Sequence, residues 1–256
     1  MAQIEYMINN KKIRLLSDLH THTTFSHGKG SIEDNVLSAR SKGIMKIGIT
    51  DHGPGHIGFG IRRREIPKMH DEINRLRAQY TDMEILLGIE ANIVNSSGIL
   101  DVKPTEFSDF DFVIAGYHYG VIGSNPVTST ASIFKNLTQE KTGKYTERQR
   151  KINTRNIVNA LNTNDIMILT HPGDKAPVDL LEIAVTCAKT NTLVELNTHH
   201  NSLTAEDLKT MILADIRFII SSDAHKPARV GEFVRAIELV IDAGIDLDRI
   251  VNIEVS

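Results

Sequence analysis

The sequence predicts an α/β fold in which seven parallel strands alternate with helices, and the favoured architecture is a seven-stranded variant of the TIM-like barrel. Seven short runs rich in apolar residues recur along the chain, and segments with helical periodicity lie between them. Short, nearly continuous apolar runs are typical of strands buried on both faces, as in parallel sheets. Repeated strand–helix units favour a right-handed α/β fold, either closed into a barrel or doubly wound. The seven runs are 13–20, 44–52, 84–92, 112–118, 166–171, 192–198 and 217–225.

Helix signals occur in four of the segments that separate or follow these runs. Ser31 can cap a helix that has an acidic residue in its first turn and Gly43 just beyond its end. Three further helices are expected near 66–80, 178–190 and 230–243, because their apolar residues recur at steps of three and four.

Two segments fit the alternating pattern less well. Residues 1–12 can form an extra strand or turn, since the Asn-Asn pair at 9–10 is a turn signal. Residues 119–147 are polar and rich in Ser, Thr and Asn, and such a stretch after a strand is often a lid or a disordered loop. Neither segment resembles an interdomain linker, so we expect one domain over residues 1–256.

Bulk composition is that of an ordinary globular protein and narrows the expected partners. Hydrophobic residues make up 41% and charged residues 24% of the 256 residues, which suits one barrel domain. The formal net charge of -3 gives no global basic field, so no nucleic-acid partner is expected. We expect no membrane association, because no apolar run approaches a spanning length. The single cysteine, Cys187, excludes an intramolecular disulfide and fits a reducing, cytoplasmic location.

The ends of the predicted strands carry side chains that commonly bind metal ions. Six of the seven runs have a histidine or a carboxylate at or just beyond the carboxyl end. In a parallel barrel those ends converge on one face, where barrel enzymes keep their active sites. The candidate metal ligands, in chain order, are His20, His22, His27, His52, Glu90, His118, His171, Asp223 and His225.

The spacing of these residues indicates shared metal ions. In the pair His20-x-His22 both imidazoles point to the same side of a strand, and Asp223-x-His225 repeats that geometry. A single histidine at a strand end usually has a structural role. Two ligand pairs of this spacing, together with further candidate ligands at other strand ends, are not expected by chance. Seven imidazoles and two carboxylates exceed what one ion accepts, so two or three ions bridged by a carboxylate are expected. Adjacent metals about 4 Å apart can clamp the attacking and leaving oxygens of a phosphoryl transfer.

Three residues near the same face are catalytic candidates. Asp51 directly precedes the candidate ligand His52, and Asp18 lies two residues before the candidate ligand His20. Each aspartate can orient an imidazole or merely cap a loop. Lys175 and Arg229 follow two of the strand ends and can hold a phosphate group, as can the other basic residues there, Arg62, Arg63, Arg64 and Lys226. We therefore predict Asp51, Lys175 and Arg229 as the catalytic residues.

Four remaining residues of reactive type are given lesser roles. His56, in a glycine-rich loop, can contact substrate, and so can one of His199 and His200, which follow the sixth run. Cys187 lies in the middle of a predicted helix and is expected in the core rather than as a nucleophile.

Six short motifs, in order, resemble those of the PHP (polymerase and histidinol phosphatase) superfamily. They are Asp18–Thr23, Ser26–Gly28, Ile49–Pro54, Gly88–Asn92, Thr170–Gly173 and Ser222–His225. The following segment, Val230–Phe233, looks most like that of stand-alone bacterial PHP phosphatases. The resemblance covers most of the chain and implies a distorted (β/α)7 barrel.

The resemblance also implies a trinuclear metal site. One ion would be held by His20, His22, Glu90 and Asp223; a second by Glu90, His118 and His171; a third by His27, His52 and His225. His27 stands where many relatives have aspartate, which favours zinc, with manganese or iron as alternatives.

The expected activity is hydrolysis of a small phosphate monoester by a metal-activated water. Three other hydrolases remain as alternatives: a histidinol-phosphate phosphatase, a nucleotide phosphodiesterase or exonuclease, and a C–N hydrolase of the amidohydrolase type. The nuclease would favour an aromatic-lined groove, and only 5% of the residues are aromatic. The amidohydrolase type usually has a metal-bridging lysine where this chain has His118. A non-catalytic metal-binding module is the remaining alternative, although every expected ligand position is filled.

Overall fold

Seven parallel strands form a nearly closed barrel in the computed structural model, which describes residues 5–8, 10–94, 97–121, 146–200 and 202–256. The seven barrel strands pair in chain order, and a parallel bridge between Thr21 and Ala224 joins the end of the first barrel strand to the end of the last. The predicted α/β barrel is therefore confirmed. The strands are β1 (Glu5–Ile8), β2 (Lys11–Leu15), β3 (Ser17–Asp18), β4 (Lys46–Ile49), β5 (Glu84–Asn92), β6 (Phe112–Gly116), β7 (Ile168–Leu169), β8 (Leu193–Asn197), β9 (Phe218–Ser221) and β10 (Ile253–Val255).

The first predicted strand is divided between two sheets. β2 pairs antiparallel with β1 and β10, whereas β3 begins the barrel, so the prediction of one strand over 13–20 is wrong. Leu16 marks the change of partner, because its N–H donates to Asn252 and its carbonyl accepts from Met45. The predicted turn near residue 10 is confirmed, since Asn10 has a φ of 63° between β1 and β2.

Helices connect most of the barrel strands. The four predicted helices are present, and the capping of the first is confirmed: Ser31 Oγ accepts from Asp34 N–H, and the Asp34 carboxylate accepts from Ser31 N–H. Two more helices, Glu147–Thr163 and Ala205–Met211, were not predicted. The helices are α1 (Ile32–Ser41), α2 (Ile66–Gln79), α3 (Glu147–Thr163), α4 (Leu180–Thr190), α5 (Ala205–Met211) and α6 (Val234–Asp242), with 3-10 turns at Arg63–Glu65, Pro104–Asp109, Pro227–Arg229 and Leu247–Arg249.

Side chains fill the barrel interior, so the barrel is a packed core and not a channel. The inner cluster contains Leu19, Phe112, Ile114, Ile168 and Ile219. Phe112, on β6, occupies the space left by glycines on β4 and β5: a Cβ at Gly48 or Gly88 would lie 2.7 Å from its ring. The larger core lies between the strands and the helices.

Two further sequence expectations bear on the fold. Cys187 is fully buried in α4, which confirms its assignment to the core. Most of the polar segment 119–147, namely residues 122–145, lies outside the described residues. Among the helices that the structure describes, none has the length and hydrophobicity that crossing a bilayer requires.

Candidate metal centre

All nine predicted metal ligands meet at the carboxyl ends of the barrel strands. Because consecutive parallel strands end on the same side, residues far apart in sequence approach one another there. His20, His22 and His27 follow β3; His52 follows β4; Glu90 lies on β5; His118 follows β6; His171 follows β7; and Asp223 and His225 follow β9.

Glu90 lies at the centre of the cluster. Its Oε1 atom is 3.3 Å from His20 Nε2, 3.2 Å from His118 Nε2 and 3.1 Å from His171 Nε2. Its other oxygen, Oε2, is 2.7 Å from His52 Nδ1. A buried carboxylate with imidazoles around both oxygens has the arrangement that a bridging metal ligand requires.

A second group forms on the side of β3 and β9. The Nε2 atoms of His20 and His22 are 3.1 Å apart, and Asp223 Oδ1 lies 3.0 Å from His22 Nε2. These three residues offer donor atoms that all lie within 4.8 Å of one another. The spacing of His-x-His and Asp-x-His therefore brings donors from two strands to one point.

A third group consists of imidazoles alone. His22, His27, His52 and His225 offer nitrogens within 4.8 Å of one another, and the ring centroids of His27 and His225 are 4.2 Å apart. His52 also groups with Glu90 and His118. The structure thus places His52 between two parts of the cluster, whereas the sequence resemblance assigned it to one.

Several buried polar atoms of this cluster lack a hydrogen-bond partner within the described chain. Glu90 Oε2 and Asp223 Oδ1 are the carboxylate atoms concerned, and the Glu90 contact with His52 is short but not aligned as a hydrogen bond. Buried polar atoms without partners are rare in proteins and call for an explanation such as a bound ion. The donor set of imidazoles and carboxylates fits divalent zinc, manganese or iron.

The electrostatics of the cluster also suit a cation. Burial alone would raise the pKa of Glu90, but the imidazoles of His118, His20 and His52 outweigh burial and hold that pKa well below its usual range. Burial lowers the pKa of His118 to about 3, and burial with neighbouring imidazoles lowers the pKa of His27 to about 3. At neutral pH Glu90 is therefore ionised and these two imidazoles are neutral, which are the forms that bind metals. Burial alone would lower the pKa of His20, but the carboxylates of Glu90, Glu195 and Asp223 outweigh burial and raise that pKa well above its usual value, so a bound ion would have to displace a proton from His20.

Two of the candidate ligands have a backbone conformation that the sequence did not suggest. His171 has a φ of 26° and Asp223 a φ of 49°, both in the left-handed region. Such residues cost about 1–3 kcal/mol each and persist only where the surroundings hold them in place. Their occurrence at two strand ends of one cluster is typical of a functional site.

Asp51 and Asp18 are buried and hold loops. The Asp51 carboxylate accepts hydrogen bonds from the Thr23 N–H, the Thr23 hydroxyl and the Ser26 hydroxyl, so it fixes the loop that leads to His27. The Asp18 carboxylate accepts from Ser222 and from Gly231. These hydrogen bonds support the loop-capping role of the two aspartates rather than the orientation of an imidazole.

The two predicted basic residues lie at the edge of the cluster. Lys175 lines a cavity of about 250 Å³ together with His56, His200 and most of the candidate ligands, and its Nζ is 2.6 Å from Asp174. Arg229 forms an ion pair with Glu232 and contacts the ring of His199. The His199 ring lies 5.0 Å from that of His225, which places Arg229 at the rim.

The sequence reasoning missed two buried polar residues on β8. Glu195 and Asn197 lie among the candidate ligands and hydrogen-bond to them. The signal was a carboxylate and an amide at alternate positions of an otherwise apolar run, on the one strand with no predicted ligand. Phe59 was also missed: it is 47% exposed, lines the cavity and has its ring 4.7 Å from His27.

Comparisons with known proteins identify the family of this chain. The sequence profile of the PHP domain matches residues 18–199. A Shewanella loihica protein named "Probable phosphatase" is 30% identical, over 94% of this chain and 90% of its own length. An Escherichia fergusonii protein named "Probable phosphatase YcdX" is 28% identical, over 92% of this chain and 89% of its own length.

A solved structure shares the fold. The crystal structure of histidinol phosphate phosphatase from Lactococcus lactis, complexed with zinc, L-histidinol and phosphate, has a TM-score of 0.61. It is 19% identical to this chain and covers 90% of it, with 94% of its own length matched. The profile match spans well over half of the chain and includes seven of the nine candidate ligands. The chain therefore belongs to the PHP domain family.

Proposed function

We propose that this PHP-family hydrolase releases phosphate from a small phosphate monoester at a centre of three divalent ions, Zn²⁺ first, with Mn²⁺ or Fe as alternatives. The observation that carries the proposal is the position of Glu90, whose two oxygens face imidazoles from four other segments. The three proposed ligand sets are His20, His22, Glu90 and Asp223; Glu90, His118 and His171; and His27, His52 and His225.

The residues around the proposed metal centre can each contribute to hydrolysis of the phosphate ester. When bound, the metal ions lower the pKa of a water and neutralise phosphoryl oxygens. Lys175 and Arg229 lie where they can donate to the remaining phosphate oxygens, after exchanging their partners Asp174 and Glu232. Asp51 contributes by holding the loop that carries His27. The cavity of about 250 Å³ suits a small substrate better than a nucleic-acid strand.

No side chain of the described chain is needed as a nucleophile. Cys187 is fully buried in α4, and burial raises the pKa of its thiol to about 12, so the thiol stays protonated. Direct attack by water predicts inversion at phosphorus. Hydrolysis of a chiral phosphate ester with retention would refute direct attack and require a covalent phosphoenzyme.

We also propose that residues 1–256 form this one domain. Support comes from the sheet in which β2 pairs with both β1 and β10, so that strands from opposite ends of the described chain pack together. The relatives named probable phosphatase match over 94% and 92% of this chain, which agrees with a single unit.

The main test combines metal analysis with a phosphate-release screen over sugar, nucleotide and amino-alcohol phosphates, including histidinol phosphate. We expect bound divalent metal in the purified protein and phosphate release from at least one class. His20→Ala and Asp223→Ala should abolish turnover while circular dichroism stays native. His70→Ala, on helix α2, is the matched control and should keep full activity. Normal turnover by metal-stripped Asp223→Ala would refute the proposed function.

A further inference from the structure

Strand β8 contributes none of the nine candidate ligands, yet it places two polar side chains among them. Glu195 and Asn197 are two residues apart, so both point to the same face of the strand. Glu195 is 0% exposed and Asn197 is 8% exposed. Burying a carboxylate completely is unfavourable in free energy unless charged or polar groups surround it, so the partners of Glu195 indicate its role.

The partners of these two residues are candidate ligands from three different strand ends. Glu195 Oε1 is 2.7 Å from His20 Nδ1, and Oε2 accepts a hydrogen bond of 2.8 Å from the His171 N–H. Asn197 Nδ2 donates to Glu195 Oε2 at 2.9 Å and to Asp223 Oδ2 at 3.1 Å. One pair of side chains therefore touches the ends of β3, β7 and β9.

We propose that Glu195, supported by Asn197, is a positioning residue of the metal centre; this inference rests on the proposed function. Glu195 accepts the proton of His20 Nδ1 and so leaves His20 Nε2, the nitrogen nearest Glu90 and His22, free to bind a metal ion. A carboxylate in this place also makes the imidazole a better donor.

The same carboxylate holds the backbone of a second ligand. His171 has a φ of 26°, and its N–H is the group bonded to Glu195. Asp223, with a φ of 49°, is tied to the pair through Asn197. Both residues with left-handed backbone in the cluster are thus hydrogen-bonded to β8, His171 through its backbone N–H and Asp223 through its carboxylate, and surrounding contacts of this kind help to hold such residues in place.

The test is Zn²⁺ affinity measured by competition with a chromophoric chelator, on protein first stripped of metal. Glu195→Gln preserves side-chain length but removes the charge facing His20, and we expect about 10- to 100-fold weaker Zn²⁺ binding. Asp111→Asn is the control. Its carboxylate lies before the first residue of β6, away from the cluster, where it accepts from the Leu87 N–H and from Arg77, and its substitution should leave Zn²⁺ affinity within about twofold.

The affinity readout separates positioning from a purely structural role. Folded Glu195→Gln that binds Zn²⁺ with wild-type affinity and stoichiometry would overturn the inference while leaving the proposed function intact. If Glu195→Gln does not fold, Asn197→Ala decides. It keeps the carboxylate but cuts the links to Glu195 and Asp223, so we expect several-fold weaker binding, and unchanged affinity would overturn the inference. A wild-type protein that binds none of Zn²⁺, Mn²⁺ and Fe²⁺ would refute both proposals.

Discussion

Replacing Gly28 by alanine tests how closely the backbone is packed around the metal centre. Gly28 follows His27 directly and is buried against the chain at His22, so it joins two candidate ligands. A Cβ at this position would lie 2.5 Å from the His22 carbonyl oxygen and 2.7 Å from Thr23 N. Those atoms belong to the backbone and cannot rotate away.

The size of the effect follows from these distances. Contacts of a Cβ below 3.0 Å essentially do not occur, so the loop must move by about 0.5 Å to relieve a contact of 2.5 Å. Displacing a catalytic group by about 1 Å costs roughly 100-fold in rate. We therefore expect kcat/KM to fall by about 10- to 100-fold, or about 1.4–2.7 kcal/mol in the activation free energy. Overpacking should also lower the free energy of unfolding by about 1–3 kcal/mol.

The assay is phosphate release at saturating Zn²⁺, with thermal unfolding measured in parallel. Lys29→Ala is the matched control, because Lys29 is the exposed neighbour of Gly28 and alanine there removes only a solvated side chain. Wild-type kcat/KM and wild-type stability for Gly28→Ala would show that the loops carrying His22 and His27 are not in contact as described.

Three further outcomes are expected. Asp51→Asn removes the charged acceptor of the hydrogen bonds from Thr23 and Ser26. It should lower the free energy of unfolding by about 1.5–3 kcal/mol in urea titration and reduce the metal content found by elemental analysis. Unchanged stability together with unchanged metal content would contradict this expectation. Phe218→Ala, at a fully buried position on β9, should cost about 3–5 kcal/mol in urea denaturation, and a loss below about 1 kcal/mol would contradict the described core. The Cys187 thiol, whose pKa burial raises to about 12, should resist a disulfide reagent at pH 8 until urea unfolds the protein; rapid labelling of native protein would show that it is accessible.

Local sequence patterns were sufficient for most of the barrel but not for its boundary with the small sheet. The runs that form β4 to β9 are buried on both faces, and strands buried on both faces are recognisable in the sequence because nearly all of their residues are apolar. The run 13–20 has the same character, yet Leu16 changes partner in its middle. Strand β10 is only three residues long and largely exposed, so nothing in its own sequence distinguishes it from a loop. Helix α3 was missed because four of its seven buried residues are polar and mask its apolar face, namely Gln149, Asn153, Thr154 and Asn156.

By itself, the sequence determined the kinds of donor atoms and the strand ends that carry them, because residue type and strand periodicity are local properties. Only the tertiary structure decided that His52 lies against Glu90, that Asp51 holds a loop, and that Glu195 supports His20. These contacts join residues that are 25 to 175 positions apart. Such distances depend on how side chains pack across the barrel and on left-handed turns at two strand ends, neither of which a local pattern encodes.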